Sequence, residues 1–291
     1  MKNLKYYIQK AQKEKWAIGQ FNFSTASQLK GIAGAAKNLR APVIIGTSEN
    51  ESKFFGLKQA VFYRDFLREE TGMPVFLNLD HGKSFEYLKS AIDAGYDMVH
   101  FDGSKLLLEE NIKISQKVVK YAKKKGVLVE GELGQIGNDA SKVYWEKFKI
   151  DDANLTNPKQ ALEYIKKSKV DLLAVSIGTF HGIEASGINP NLRLDILKEI
   201  KKEVGDMPLV LHGGSGTPIE DITEAIKLGI VKININTELR LAYTGTIIRI
   251  LKDNPDEITP YKYLPKAIKK VQTVVEEKIK LFGSDQKALQ S

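Results

Sequence analysis

The chain has 291 residues, 42 % hydrophobic and 27 % charged, enough to bury a large α/β core and unlike a disordered chain. It contains no Cys, which excludes disulfides and thiolate metal sites, and no apolar run approaches the ~20 residues of a membrane span. The formal charge of +8 is dispersed: Lys123, Lys124 and Lys125, Lys166 and Lys167, Lys201 and Lys202, and Lys269 and Lys270 fall on separate predicted helices, which argues against nucleic acid and leaves a phosphorylated metabolite compatible with the positive field.

The start, "MKNLKYYIQKAQKEKW", lacks the apolar region and cleavage site of a signal peptide and reads as a short amphipathic helix, so a cytoplasmic protein is expected. Eight apolar or β-branched runs follow in order: "AIGQFNF", "PVIIGTS", "PVFLNLD", "MVHFDGS", "VLVEGEL", "LLAVSIG", "LVLHGGS" and "VKININT". Between them stand amphipathic stretches such as "SFEYLKSAIDAGY", "NIKISQKVVKYAKKKG" and "IEDITEAIKLG", with Lys or Gly at helix C-termini. Near-continuous apolar strands, each followed by a helix, predict a parallel sheet covered on its outer face, and eight such units in a chain near ~250 residues predict a (β/α)8 TIM barrel. No linker divides the chain, so one domain over 1–291 is expected, with an extra N-terminal helix and a long C-terminal helix, "LPKAIKKVQTVVEEKIKLF". "GQIGNDASKVYWEKFKIDDANLTNP", after the fifth strand, reads as one long irregular loop of the kind that carries function or mobility.

The third run ends on "LDHG", where Asp-Gly alone would make a turn and the His is surplus to folding. Of four histidines, His81, His181 and His212 each precede a Gly at or just beyond a strand's C-terminal end, and His100 is read as structural. Barrel active sites are built at that face, so three imidazoles would converge in one mouth. Three neutral imidazoles with an open fourth position suit a catalytic zinc, acting as a Lewis acid on a bound carbonyl. "HGGSG" after the seventh strand and "ININTELR" at the end of the eighth offer backbone N–H groups and a helix N-terminus to a phosphate.

Six stretches in order, "LDHGKSFE", "FDGSKL" with the "EN" that follows, "VEGELG", "VSIGTFHG", "LVLHGGSG" and "KININTELR", resemble the signatures of class II, metal-dependent ketose-bisphosphate aldolases, which include the fructose- and tagatose-bisphosphate enzymes. The resemblance runs from about "QFNF" to "EEKIKLFGS". It implies a (β/α)8 fold, a divalent metal that is usually zinc with a monovalent cation as a possible companion, dihydroxyacetone phosphate as the ketone, and a homodimer or homotetramer. The implied zinc ligands are His81, His181 and His212. Glu132 matches a carboxylate that ligates on shifting, and Asp102 a nearby acidic residue. Asp80 matches the acid/base that serves the aldehyde oxygen. Gly182, Gly213, Ser215, Asn236 and Thr237 match phosphate-binding elements, and Asn22, Ser48 and Asn234 match polar contacts to substrate. In such chemistry the metal supplies the electrostatic stabilisation that a Schiff-base lysine gives class I enzymes.

Two departures stand out. The family's second base is a Glu in a loop after the "ELG" motif, and Ala140 occupies its place; Asp139 is the preferred replacement, ahead of Glu146. An Arg that binds the aldehyde-side phosphate in many relatives is replaced in "TPYKYL" by Tyr261, with Lys262 adjacent but not an equivalent bidentate donor. The expected reaction is reversible cleavage of a ketose 1,6-bisphosphate, most readily fructose 1,6-bisphosphate, with a tagatose-type or non-phosphorylated aldehyde, or a catalytically impaired metal-binding barrel, as alternatives.

Overall fold

A computed structural model describes residues 2–137 and 142–288. Eight parallel strands close a barrel: β1 (Ile18–Asn22), β2 (Val43–Ser48), β3 (Val75–Gly82), β4 (Met98–Phe101), β5 (Leu128–Leu133), β6 (Leu172–Val175), β7 (Leu209–Leu211) and β8 (Ile230–Ile235), with β8 returning to pair with β1. Every run expected to be a strand is one. The amphipathic stretches form the helices Phe85–Ala94, Leu108–Lys123 and Ile219–Lys227. The C-terminal helix, Pro260–Leu281, begins before its apolar pattern does, because Pro260 occupies the first turn, where a missing N–H costs nothing.

Strand alternation stacks the interior in layers, since residues two apart share a face. At the N-terminal end, Ile18, Ile44, Phe76, Met98, Leu128, Leu172 and Val210 form an apolar plug against Leu4, Tyr7, Ile8 and Ala11 of the N-terminal helix Leu4–Glu14. Burying each large apolar side chain contributes about 1.5–3 kcal/mol, which holds this helix across the barrel floor. Two residues further along stands a polar layer of Gln20, Asn78, His100, Glu130 and Lys232, all fully buried. Some of its members pair across the interior: Asn78 Nδ2 donates to Gln20 Oε1 at 2.8 Å, and Lys232 Nζ lies 2.8 Å from Glu130 Oε2, while Asn78 Oδ1 and His100 Nε2 have no hydrogen-bond partner. Another two residues carry the chain to Asn22, Ser48, Asp80, Glu132 and Asn234, at the open mouth.

The stretch after β5 is not wholly irregular. Val143–Tyr144 pairs in parallel with Ile183–Glu184 beyond β6, and the Phe148 and Phe180 rings stack at 4.4 Å. Two surface segments, each too short to bury an apolar face alone, satisfy backbone groups on one another, a pairing that periodicity cannot register.

Removing one partner of a buried pair leaves the other charge uncompensated. Lys232→Met is expected to destabilise the fold by about 3–5 kcal/mol, seen as a lower urea midpoint; an unchanged midpoint would show that Glu130 needs no cation.

Candidate active site and metal centre

The "LDHG" turn explains how two consecutive side chains reach one mouth. Regular alternation would send His81 away from Asp80. Instead the β3–β4 register slips between Leu79 and Gly82, and His81 takes a left-handed conformation with φ 52°. Such a backbone is uncommon outside Gly and is held here by the His81 N–H, which donates to His100 Nδ1 at 3.0 Å. His100, fully buried beneath the mouth, is thus the brace for the turn.

Carboxylates then fix the imidazole tautomers. His212 Nε2 lies 2.6 Å from Glu130 Oε1, so its proton sits there and Nδ1 presents a lone pair. His81 Nδ1 lies 3.2 Å from Asp102 Oδ2, which leaves the lone pair on Nε2. His212 Nδ1 and His81 Nε2 face one another at 2.9 Å. Two lone pairs brought this close repel unless a proton or a cation stands between them, and orientation of each ring by a carboxylate is the usual support of a metal-binding histidine. Burial pulls the His212 imidazole down to about 3 against the pull of Glu130, keeping it neutral, as a ligand must be. The donors therefore fit a divalent cation.

The nearest ligating atoms of Asp80, His81, His100 and His212 all lie within 4.8 Å of one another, as do those of His81, Asp102 and Glu132. His181 falls in neither group, but its ring centroid is 4.8 Å from that of His81 and it lines the same cleft. Asp102 also accepts from Ser104 Oγ at 2.6 Å. Glu132 Oε2 is buried without a hydrogen-bond partner, 3.7 Å from His81 Nδ1 and 3.2 Å from His100 Nε2, and burial raises the acid's pKa. An unsatisfied carboxylate oxygen here is a second sign that these donors suit a cation.

Asp80 is differently placed. Its Oδ1 accepts from Asn234 Nδ2 and its Oδ2 from Asn22 Nδ2, both at 2.9 Å. Burial opposes its charge, yet the neighbouring imidazoles, His81 first, and the Lys232 ammonium hold its carboxyl well below the usual carboxylate range. It is an ionised base with both oxygens aimed by amides.

A cleft of about 440 Å³ joins these groups to Ser48, Gly182, Gly213, Ser215, Asn236 and Thr237. Gly213 has φ 65°, and a Cβ there would strike the Phe180 backbone, so only Gly lets the turn approach so closely. Asn236 precedes the helix Thr237–Asp253 but makes no side-chain cap; the Glu238 N–H donates to Ser215 Oγ at 3.3 Å, and the Thr237 N–H is left for an anion. Asp139 lies outside the described residues. Glu146 is exposed and Tyr261 is 77 % exposed, and neither lines the cleft.

Sequence reasoning missed Glu130, Lys232, Glu51 and Arg240. The first two carried a signal, a charge inside an apolar strand at the parity of Glu132 and Asn234. Glu51 and Arg240 meet at the cleft rim from distant helices and carried none.

A family model described as "Fructose-bisphosphate aldolase class-II" matches residues 2–287. A fructose-bisphosphate aldolase of Geobacillus stearothermophilus is 37 % identical over 291 residues, covering 99 % of each chain. A 6-phospho-5-dehydro-2-deoxy-D-gluconate aldolase of Bacillus licheniformis is 39 % identical, covering 99 % of this chain and 96 % of its own. The crystal structure of the YdjI aldolase from Escherichia coli K12 superposes with a TM-score of 0.83 at 31 % identity, covering 99 % of both chains.

Asp102→Ala frees the His81 ring, and metal affinity is expected to fall about 10- to 100-fold in competition with a chromophoric chelator. Burial lowers the pKa of His81, but Asp80 and Asp102 more than offset it, and the net shift is upward. Metal retention should therefore be full above that raised pKa and decline as pH falls through it, followed by equilibrium dialysis. A flat profile would remove His81 from the ligand set.

Proposed function

The chain belongs to the class II fructose-bisphosphate aldolase family of metal-dependent lyases, and on that premise we propose that it cleaves a ketose 1,6-bisphosphate, first among them fructose 1,6-bisphosphate, to dihydroxyacetone phosphate and an aldehyde such as glyceraldehyde 3-phosphate. The observation that carries this reading is the ionised Asp80 beside two imidazoles whose lone pairs converge. His81, His181 and His212 would hold the ion, for which three imidazoles favour zinc, although another divalent metal suits the same donors. When bound, the cation supplies Lewis-acid stabilisation to the negative charge that develops on the ketone half.

The protein's own groups do the rest. Asp80 takes the proton of the C4 hydroxyl; as the C4–O bond becomes a carbonyl, the C3–C4 bond breaks and its electron pair remains on the ketone half. Asn22 and Asn234 keep the carboxylate aimed through that transfer. The Gly213 turn, Ser215 and the N-terminus at Thr237 would hold the ketone's phosphate, while Gly182, Asn236 and Ser48 shape the remaining wall. Asp139 is our assignment for the base that exchanges the C3 proton, with Ala140 where relatives carry Glu. A cytoplasmic homo-oligomer is inferred from the family resemblance alone.

Stereospecific hydrogen–deuterium exchange at C3 of dihydroxyacetone phosphate, followed by NMR, should vanish with chelator and return with zinc. Exchange indifferent to chelator would sink the metal-dependent reading. Asp80→Asn should retain exchange while cleavage falls by about 10²- to 10⁴-fold, the usual contribution of a general base. An unchanged exchange rate in Asp139→Asn would remove Asp139 from its role.

A further inference from the structure

The Asn22 amide that meets the base is itself held on every side. Its Nδ2 donates to Asp80 Oδ2 at 2.9 Å and to Glu51 Oε2 at 3.1 Å, and its carbonyl Oδ1 accepts from Gln20 Nε2 at 3.1 Å. Gln20 Oε1 in turn accepts from Asn78 Nδ2 at 2.8 Å. An ionised carboxylate only accepts, so Asp80 and Glu51, the latter paired with Arg240, require the Asn22 nitrogen on their side. That choice sets the rest of the row. Asn22 turns its oxygen to Gln20, and Gln20 turns its nitrogen to Asn22 and its oxygen to Asn78. Reversing the Gln20 amide would set oxygen against oxygen at one end and N–H against N–H at the other.

Two observations separate this row from ordinary packing. Gln20 is fully buried in a barrel strand, where an apolar side chain of the same size would avoid the cost of desolvating an amide. The second is Gly46. It stands on β2, in register with Asn22 on β1 and with Asn78 on β3, between the two strands that carry the row. A Cβ there would stand 2.6 Å from Asn22 Oδ1 and 2.7 Å from Gln20 Nε2, the two atoms of the bond that orients Asn22. Only Gly leaves that bond its room. Asn78 Oδ1, at the far end, has no hydrogen-bond partner, so the donors point one way, from Asn78 through Gln20 and Asn22.

We propose that Gln20 is a positioning residue for the base: it fixes the Asn22 amide, and through that amide the plane of the Asp80 carboxylate, with Gly46 keeping the space for the contact. The inference rests on the aldolase reading, in which Asp80 takes the C4 hydroxyl proton. Asn234 holds Oδ1 of that carboxylate and Asn22 holds Oδ2, so a loosened Asn22 lets the group turn about its own bond. A misplacement of about 1 Å in a reacting group is costly to rate. Exchange at C3 of dihydroxyacetone phosphate makes no use of a C4 oxygen, so the row bears on cleavage alone.

The test compares two kcat values in the metal-loaded enzyme: cleavage of fructose 1,6-bisphosphate or its C4 epimer, whichever the wild type cleaves faster, and C3 exchange on dihydroxyacetone phosphate. Gln20→Met keeps the volume and loses the donor; its cleavage kcat should fall about 2- to 10-fold, the worth of one hydrogen bond, while exchange stays at the wild-type rate. Gly46→Ala pushes the same two atoms apart and should lower the same ratio of cleavage to exchange. In the double variant the loss should not exceed that of the larger single, because both changes break one bond. Packing damage lowers both rates in proportion, and that result overturns the proposal, as does any Gln20→Met result in which cleavage does not fall relative to exchange. Losses that multiply in the double variant overturn the part given to Gly46. Should Gly46→Ala fail to fold, the Gln20→Met ratio decides alone. A wild type that cleaves neither ketose, or shows no exchange when metal-loaded, defeats the proposed function itself, a result separate from any effect of Gln20.

Discussion

Glu130 ties the core of the barrel to its chemistry. One carboxylate oxygen takes the Lys232 ammonium from β8 at 2.8 Å and the other takes the His212 Nε2 proton from β7 at 2.6 Å. Neither strand neighbours β5, so both bonds cross the interior. A charge buried so deeply is tolerable only when paired and hydrogen-bonded, and breaking the set would expose each member to the desolvation it now avoids. The same contact decides which nitrogen of His212 looks upward. Stability and the orientation of the His212 imidazole are thus read from one set of atoms, and neither can be changed alone.

Above that layer the site depends on a local violation of strand geometry. A regular β3 would hide either Asp80 or His81. The left-handed His81, braced by the ring of His100, puts a carboxylate and an imidazole side by side at the mouth. Backbone in a sparsely populated region persists when its surroundings over-determine it, as the Asp102 contact and the turn at Gly82 do here. The gradient along the barrel axis, from apolar floor to paired ions to polar mouth, lets the site be rigid at its base and open at its rim.

Much of this was legible in the chain. Near-continuous apolar runs separated by amphipathic stretches marked every strand, because a strand buried on both faces leaves a continuous apolar mark. Three His-Gly pairs at strand ends pointed to a shared mouth, since a barrel brings all its strand ends to one rim. The loop beyond β5 was legible only as a long insertion: its pairing with Ile183–Glu184 joins segments some forty positions apart and leaves no periodic trace.

The sequence by itself determined the class of the fold, the face that carries the chemistry and the residue types available there, because these follow from hydrophobic period and from the order of motifs. Tertiary structure alone decided that Glu130 orients His212, that His100 braces His81, and that Arg240 meets Glu51 across 189 positions of chain. Hydrogen bonds and ion pairs act over a few ångströms in space, and nothing in the spacing of residues along a chain records which distant side chains closure of the barrel will bring within that reach.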